Sequence, residues 1–382
     1  MKKFCFIFLI IFLASLFTLH SEAQTTQSVR TDNRLTNEIG TVSQSAASTF
    51  MHDTSRVGLS IGIIKDGKTY TYNYGSTKRG KNLLPTNDTL YEIGSISKTF
   101  TGTLLAQAIA DKKVKLNDDI RKYLKGSYQN LEYNGQPIRI VHLVNHTSGF
   151  PSFLPNKPEV FQHPQDSIPL LITAIQKNYT KKRFLADLHN VKVDAVPGSD
   201  YNYSNVDAQL IGFVLEDVYN KPYRELLQKY ILNPLKMSHT KVAIKSDMVA
   251  QLARGYSSAG KDMPYMPPSL TPAGGIYSSV PDMLRYMQFH LSEGNKVVSL
   301  SHKLTYGDVD SFAEGIFWRI NKTSDGKLKI WHTGGTFGFS SYCVLYPELN
   351  TGFILLSNEM DMASQGELIS LGDKIFDEIS AK

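Results

Sequence analysis

The sequence predicts an α/β protein in which an antiparallel sheet is flanked by helices and a mainly helical lobe is inserted into it. Strand-like patterns gather near the two ends of the chain, over 57–75 and 317–357, while helical spacing dominates between them. Length agrees: 382 residues, or 359 after a 23-residue leader (382 − 23), suffice for one elaborate fold built in two parts. On this reading 24–94 and 269–382 form the α/β part and 95–268 the helical lobe.

Lys2 and Lys3 precede an apolar run from Phe4 to Leu19, and Ser21-Glu22-Ala23 offers a small-x-small cleavage pattern. That run falls short of the roughly 20 residues a membrane span needs, so 1–23 reads as a cleaved signal peptide. The mature protein is then exported, periplasmic or secreted, and keeps no stable membrane anchor.

Leu59, Ile61, Ile63 and Ile64, then Asp66-Gly67, then Tyr70, Tyr72 and Tyr74 spell a hairpin with a favoured two-residue turn. From Ser95 to Asp111 there is no proline, and Phe100, Leu104, Leu105, Ala108 and Ile109 fall at helical spacing. Further helical patterns cover Ile138–Asn145, Ile168–Asn178, Val206–Tyr219 and Arg224–Ile231. Strands return at Phe317–Asn321, Leu328–His332, Ser340–Tyr346 and Gly352–Ser357, and a last helix carries Leu368, Leu371, Ile375 and Ile379.

Composition excludes several classes. With 41% hydrophobic and 20% charged residues the chain is an ordinary globular protein, not a disordered one. The net charge of +6 is spread out, and its densest cluster, Lys78, Arg79 and Lys81, has no nucleic-acid motif around it. Cys5 lies in the leader, which leaves Cys343 with no partner for a disulfide and in the pattern of a buried strand residue. His142 and His146 are four apart but lack the glutamate of a His-Glu-x-x-His zinc site, so neither a metal nor another cofactor is expected.

Ser95-Ile96-Ser97-Lys98 places a hydroxyl and an amine on one face of a helix whose N-terminal end favours a developing alkoxide. The spacing alone is weak, since it recurs at Ser238/Lys241, Ser258/Lys261 and Ser324/Lys327, and a serine at a helix start is ordinarily a cap. Tyr203-Ser204-Asn205 follows a Pro-Gly-Ser turn and stops just before a helix, so one loop presents both the phenol and the amide. His332-Thr333-Gly334-Gly335 ends a predicted strand, where glycine lets a ligand approach the backbone.

Taken in this order, Ser-x-x-Lys, Tyr-x-Asn and basic-Thr-Gly, the sequence resembles the serine β-lactamase and penicillin-binding superfamily, in its class C β-lactamase and D-alanyl-D-alanine carboxypeptidase branch. Tyr91-Glu92-Ile93-Gly94, Leu143–Phe150, Pro234–Met237 and Pro272–Ser278 carry phrases typical of that branch. The resemblance implies a β-lactamase/transpeptidase-like fold and a serine hydrolase working through an acyl-enzyme. Ser95 would be the nucleophile, with Lys98 and Tyr203 sharing the proton transfers. Asn205, His332, Thr333, Gly334 and Gly335 would bind substrate, and the backbone N–H groups of Ser95 and Gly335 would hold the oxyanion. Which of Lys98 and Tyr203 is the base stays open at this point.

The class C pattern usually has lysine where His332 stands. An imidazole near its ordinary pKa of about 6.5 is partly charged at neutral pH, so a weaker, pH-dependent pull on a substrate carboxylate is expected. The expected partner is a small molecule or peptide, with no nucleic acid. A D-Ala peptidase of peptidoglycan peptides leads, followed by a β-lactamase and a small-ester hydrolase; a non-catalytic envelope binding protein is the rival from another class.

Overall fold

The structure, a computed structural model, describes residues 29–380. The leader expected over 1–23 lies outside the described residues. Eight strands form the central sheet: β1 (Gly58–Lys65), β2 (Lys68–Gly75), β3 (Tyr306–Asp308), β4 (Phe312–Glu314), β5 (Arg319–Lys322), β6 (Leu328–Gly335), β7 (Ser340–Tyr346) and β8 (Thr351–Ser357). Their spatial order is β2-β1-β8-β7-β6-β5-β4-β3, and every neighbouring pair is antiparallel. The β1–β2 hairpin turns at Asp66 and Gly67, whose φ of 51° and 76° are the left-handed values such a tight turn requires.

Alternation along the strands sends side chains to two different cores. Leu59, Ile61, Val344, Phe353 and Leu355 face the terminal helices α1 (Glu38–Phe50) and α5 (Ser364–Ser380), meeting Ala47, Phe50, Leu368 and Ile375. Cys343, Leu345, Ile354 and Leu356 face the other way, into the core shared with the helical lobe. The lobe contains α2 (Ser97–Ala110), α3 (Asn205–Tyr219) and shorter helices at Ile140–Val144, Ile168–Gln176 and Tyr223–Leu227. Unlike the amphipathic α5, α2 is buried continuously from Ser97 to Ala106 and runs through the middle of the molecule.

The sheet is wider than the sequence suggests. Strands β3 and β4 were not expected, nor was helix α4 (Val280–His290), which packs its Met283, Leu284 and Met287 into the same core as Ile354. The strand expected over Phe317–Asn321 starts at Arg319, because Phe317 adopts a left-handed φ of 56° before the chain becomes extended. Cys343 is a fully buried residue of β7. Among the described residues no helix is long and apolar enough to cross a membrane.

An ionic cluster fixes the start of α5 to the N-terminal part of the chain. Arg56, itself buried, pairs with the fully buried carboxylate of Glu359 and with Glu367, and donates to Ser364 Oγ at 3.1 Å. Burial pushes the Glu359 carboxyl above its ordinary value, against the pull of Arg56. Removing the arginine leaves that carboxylate without compensation, a defect of about 3–5 kcal/mol. Arg56→Ala is therefore expected to lower the urea unfolding free energy by that order. A carboxyl whose folded pKa is raised supports folding while protonated and loses that support as pH rises through the folded value. The loss in Arg56→Ala should consequently grow as pH rises above the ordinary glutamate range, as urea titrations at a series of pH values would show.

Candidate active site

Ser95 stands in a single 3₁₀ turn, Gly94–Ile96, that leads directly into α2. Neither the turn nor the helix is capped by a side chain, so the Ser95 hydroxyl is not used as a cap. The turn lies against the end of β6. A Cβ on Gly94 would stand 2.6 Å from Gly335 N, and one on Gly334 would stand 2.1 Å from Ile93 O. Two glycines thus let two backbones touch, which brings Gly335 N up against the turn that carries Ser95.

Lys98 is fully buried beneath Ser95. Its Nζ lies 2.7 Å from Asn205 Oδ1, 2.7 Å from the Ala273 carbonyl oxygen and 3.1 Å from Ser95 Oγ. Two of these three neighbours are oxygens that only accept. A neutral amine satisfies both with its two hydrogens and turns its lone pair to the Ser95 hydroxyl. Burial drives the pKa of Lys98 well below its ordinary value, with Asp207 opposing and Arg319 adding to the fall.

Tyr203 places its ring centroid 4.7 Å from Lys98 Nζ. Burial raises its phenol pKa, while a hydrogen bond with Ser95 and the charge of Arg319 pull the other way. Burial makes both the tyrosinate and the charged lysine costly, a pair of shifts that suits the scheme in which Lys98 gives up its proton, although its three oxygen neighbours would also satisfy an ammonium. Ser204 caps α3, its Oγ accepting from the Val206 N–H at 3.1 Å, which frees Asn205 to reach Lys98.

Behind Tyr203 the His146 ring lies 4.5 Å away between centroids, and His146 Nδ1 is 2.8 Å from the buried Asp207 carboxylate. Ser148 Oγ donates to the other Asp207 oxygen at 2.6 Å. His146 and Ser148, read from sequence as family markers, thus support the phenol from behind. Asp207, which the sequence reading did not single out, joins them.

His332 is buried in β6. Its Nδ1 lies 2.5 Å from the Thr333 carbonyl oxygen, so Nδ1–H donates there and Nε2 is left as an acceptor. Burial, then the charges of Arg319 and Lys98, hold its pKa well below the ordinary value, against the Thr333 bond. Burial thus disfavours the charged imidazole, which weakens the pull on a substrate carboxylate expected of it. A permanent cation stands nearby instead: Arg319, on the strand beside β6, lines the same cleft, with its guanidinium 5.9 Å from the Tyr203 ring centroid. Its neighbour Glu314 is buried, which raises that carboxyl to about 7, and accepts from Tyr201 Oη at 3.1 Å.

The cleft has a volume of about 390 Å³ and is lined by Ser95, Tyr203, Asn205, His332, Thr333 and Gly335, together with Arg319 and Phe153. Lys98 sits under its floor and Gly334 against Ile93, so the eight residues singled out by sequence converge on one place. The sequence profile of the Beta-lactamase family matches residues 44–371. The chain belongs to the Beta-lactamase family. It is accordingly a serine hydrolase of that family. It is 29% identical over 319 residues to the D-alanyl-D-alanine-carboxypeptidase/endopeptidase AmpH of Escherichia coli, covering 77% of each chain. It is 25% identical over 358 residues to a β-lactamase of Pseudomonas fluorescens, covering 84% of this chain and 94% of the other. The fold matches a β-lactamase/D-alanine carboxypeptidase from Pseudomonas syringae with a TM-score of 0.75 at 23% identity, over 89% of this chain and 99% of that one. A class C β-lactamase structure gives 0.76 at 21% identity, over 91% and 98%.

The opposite shifts of Lys98 and Tyr203 have a kinetic consequence. A base must be unprotonated to act, so the rate of Ser95 acylation is expected to fall as pH drops through the Lys98 pKa. In Tyr203→Phe the overall rate should fall while this acidic limb stays in place, as measured by stopped-flow acylation with a chromogenic penicillin or ester. A limb that vanished with the phenol would assign the base to Tyr203.

Proposed function

We propose that this Beta-lactamase-family protein is an exported D-alanyl-D-alanine peptidase of carboxypeptidase/endopeptidase type, acting on peptidoglycan peptides through an acyl-enzyme on Ser95. The observation that carries the choice of substrate is Arg319, a permanent cation lining the cleft that also holds Ser95. A guanidinium pairs bidentately with a carboxylate, which suits the free C-terminus of a peptide better than a neutral ester.

In this scheme the Ser95 proton passes to the neutral amine of Lys98 as Oγ bonds to the substrate carbonyl carbon. The carbonyl oxygen takes the negative charge and accepts from the N–H groups of Ser95 and Gly335, donors of a kind worth roughly 3–4 kcal/mol each. Collapse breaks the C–N bond, and the departing amine takes a proton relayed from Lys98 by the Tyr203 hydroxyl. Water then attacks the acyl-enzyme by the reverse proton route and releases the shortened peptide. Asn205 and the edge of β6, with Thr333, align the substrate beside the nucleophile. The leader over 1–23 would place this chemistry outside the cytoplasm.

A β-lactamase is the second reading, favoured by the similarity to the Pseudomonas fluorescens enzyme and by the carboxylate that β-lactams share with such peptides. A D-Ala-D-Ala peptide, a cephalosporin and a p-nitrophenyl ester assayed side by side separate the readings. The peptidase reading expects release of D-Ala together with a long-lived penicillin adduct on Ser95 by mass spectrometry. Rapid loss of the cephalosporin without lasting adduct favours the lactamase.

Two variants test the assignments. Ser95→Ala should abolish turnover and leave the urea midpoint unchanged, because it removes one hydroxyl from a cleft; turnover in that variant ends the proposal. Arg319→Ala should raise KM about thirtyfold for a peptide with a free C-terminus, the order expected for losing a charged hydrogen-bond partner. The same variant should barely affect a neutral p-nitrophenyl ester.

A further inference from the structure

Arg319 stands at a corner of the sheet. It is the first residue of β5 and pairs with Trp331, so β6 runs on from His332 to Gly335 without β5 beside it. The centre of its guanidinium lies 5.1 Å from the Trp331 ring centroid and 5.9 Å from that of Tyr203. Aromatic faces attract a cation without occupying its N–H donors.

The group that bears on this cation from behind is Glu314. It lies on β4 as the cross-strand partner of Arg319, which puts both side chains on one face of the sheet. Glu314 is 1% exposed, and its Oε1 is 3.8 Å from Arg319 Nε, beyond hydrogen-bond reach. That oxygen accepts from Tyr201 Oη at 3.1 Å, whereas Glu314 Oε2 and Arg319 Nε have no hydrogen-bond partner among the described residues. The two charges are near enough to feel each other, and no bond ties the guanidinium to the carboxylate. A ligand carboxylate can therefore take Arg319 over.

Glu314 can hold or release its proton under ordinary conditions. Burial favours the protonated carboxyl, Arg319 and the Tyr201 hydrogen bond favour the carboxylate, and the balance places the group at about 7. The other titratable groups facing it are Tyr203 and Tyr306, its partner on β3, and a phenol brings no positive charge. Below that pH a neutral Glu314 leaves the whole charge of Arg319 open to substrate. Above it, a second carboxylate shares the guanidinium.

We propose that Glu314 is a positioning residue that competes with the substrate carboxylate for Arg319, and that its charge sets how strongly the enzyme prefers substrates with a free carboxylate. The inference rests on the role given to Arg319 above and goes further by naming the group that modulates it.

An N-acetylated D-Ala-D-Ala peptide and its C-terminal amide, given to the full protein, test this. They differ in one carboxylate, which stays ionised between about pH 6 and about pH 8.5. The ratio of their kcat/KM values, acid over amide, cancels what Lys98 and Tyr203 do for both. This ratio is expected to fall about fivefold across that range, as much as one partly exposed ion pair contributes. In Glu314→Gln, which keeps an acceptor for Tyr201 and loses the charge, the ratio should hold its acidic-side value at every pH. Tyr201→Phe removes a bond that favours the carboxylate, so the fall should move to higher pH. Arg319→Ala should bring the ratio near one throughout. If Arg319→Ala does so but the parent shows no fall with pH, or the fall survives in Glu314→Gln, the inference is overturned and the reading of Arg319 stands. Should Glu314→Gln fail to fold by circular dichroism, Tyr201→Phe decides, and a fall left in place overturns the inference. A ratio unmoved by Arg319→Ala, or no turnover of either peptide, removes that reading and the inference with it.

Discussion

The buried amine of Lys98 is the point on which the site depends. Its nitrogen touches Ser95 on its own helix turn, Asn205 at the start of α3 and the carbonyl of Ala273, three parts of the chain that share no local sequence. Because the group is removed from water, each of those contacts matters more than it would at the surface, and an unmet one would be costly. The same burial that makes the amine expensive to charge makes it useful as a base. Fold and chemistry therefore impose the same requirement: α2 must run through the interior, and α3 and the 271–274 segment must close over its first turn.

Charge around the nucleophile is then zoned. Lys98, Tyr203, His146 and His332 are all pushed toward their neutral forms by burial. Arg319 lies at the edge of the cleft, 22% exposed, with its Nε 3.8 Å from the buried Glu314 carboxylate. On the proposed reading, a positive charge there would draw a substrate carboxylate without requiring a second buried ion at the reacting centre. It also disfavours protonation of Lys98 and His332 from a distance, so substrate attraction and base activation reinforce each other. When a substrate carboxylate neutralises Arg319 that influence weakens, and the amine becomes readier to accept a proton at the moment one is available from Ser95.

The residues that reach the reacting centre were legible because each sits in a short pattern with a physical reason: one helical turn between Ser95 and Lys98, a loop presenting Tyr203 and Asn205, and glycines at the end of a strand. The fold class was legible from alternation and helical spacing for similar reasons. Arg319 was not, since it lies thirteen residues before His332 and meets the cleft across a hairpin whose register no local pattern reveals. Asp207 reads as an ordinary first-turn acid of α3 until its burial beside His146 is seen. Strands β3 and β4 are three residues each, too short for alternation to register. Helix α4 is a different case: Val280, Met283, Leu284 and Met287 keep helical spacing and Pro281 marks its start, so the signal was present and the polar residues between them obscured it.

The exchange of lysine for histidine at the head of the third motif has its clearest meaning beside Arg319. Two permanent cations here would repel each other close to a buried amine that must stay neutral. A neutral imidazole avoids this, and its Nδ1–H is occupied by the Thr333 carbonyl. On the proposed reading the cationic task would pass from β6 to Arg319 on β5, which pairs with Trp331 beside His332. A carboxylate seated on Arg319 stands further toward the sheet's β3 edge than one seated on a lysine at 332 would. The leaving group must span that added distance, which favours a flexible peptide terminus over a compact fused ring whose carboxylate is held at a fixed distance from its carbonyl.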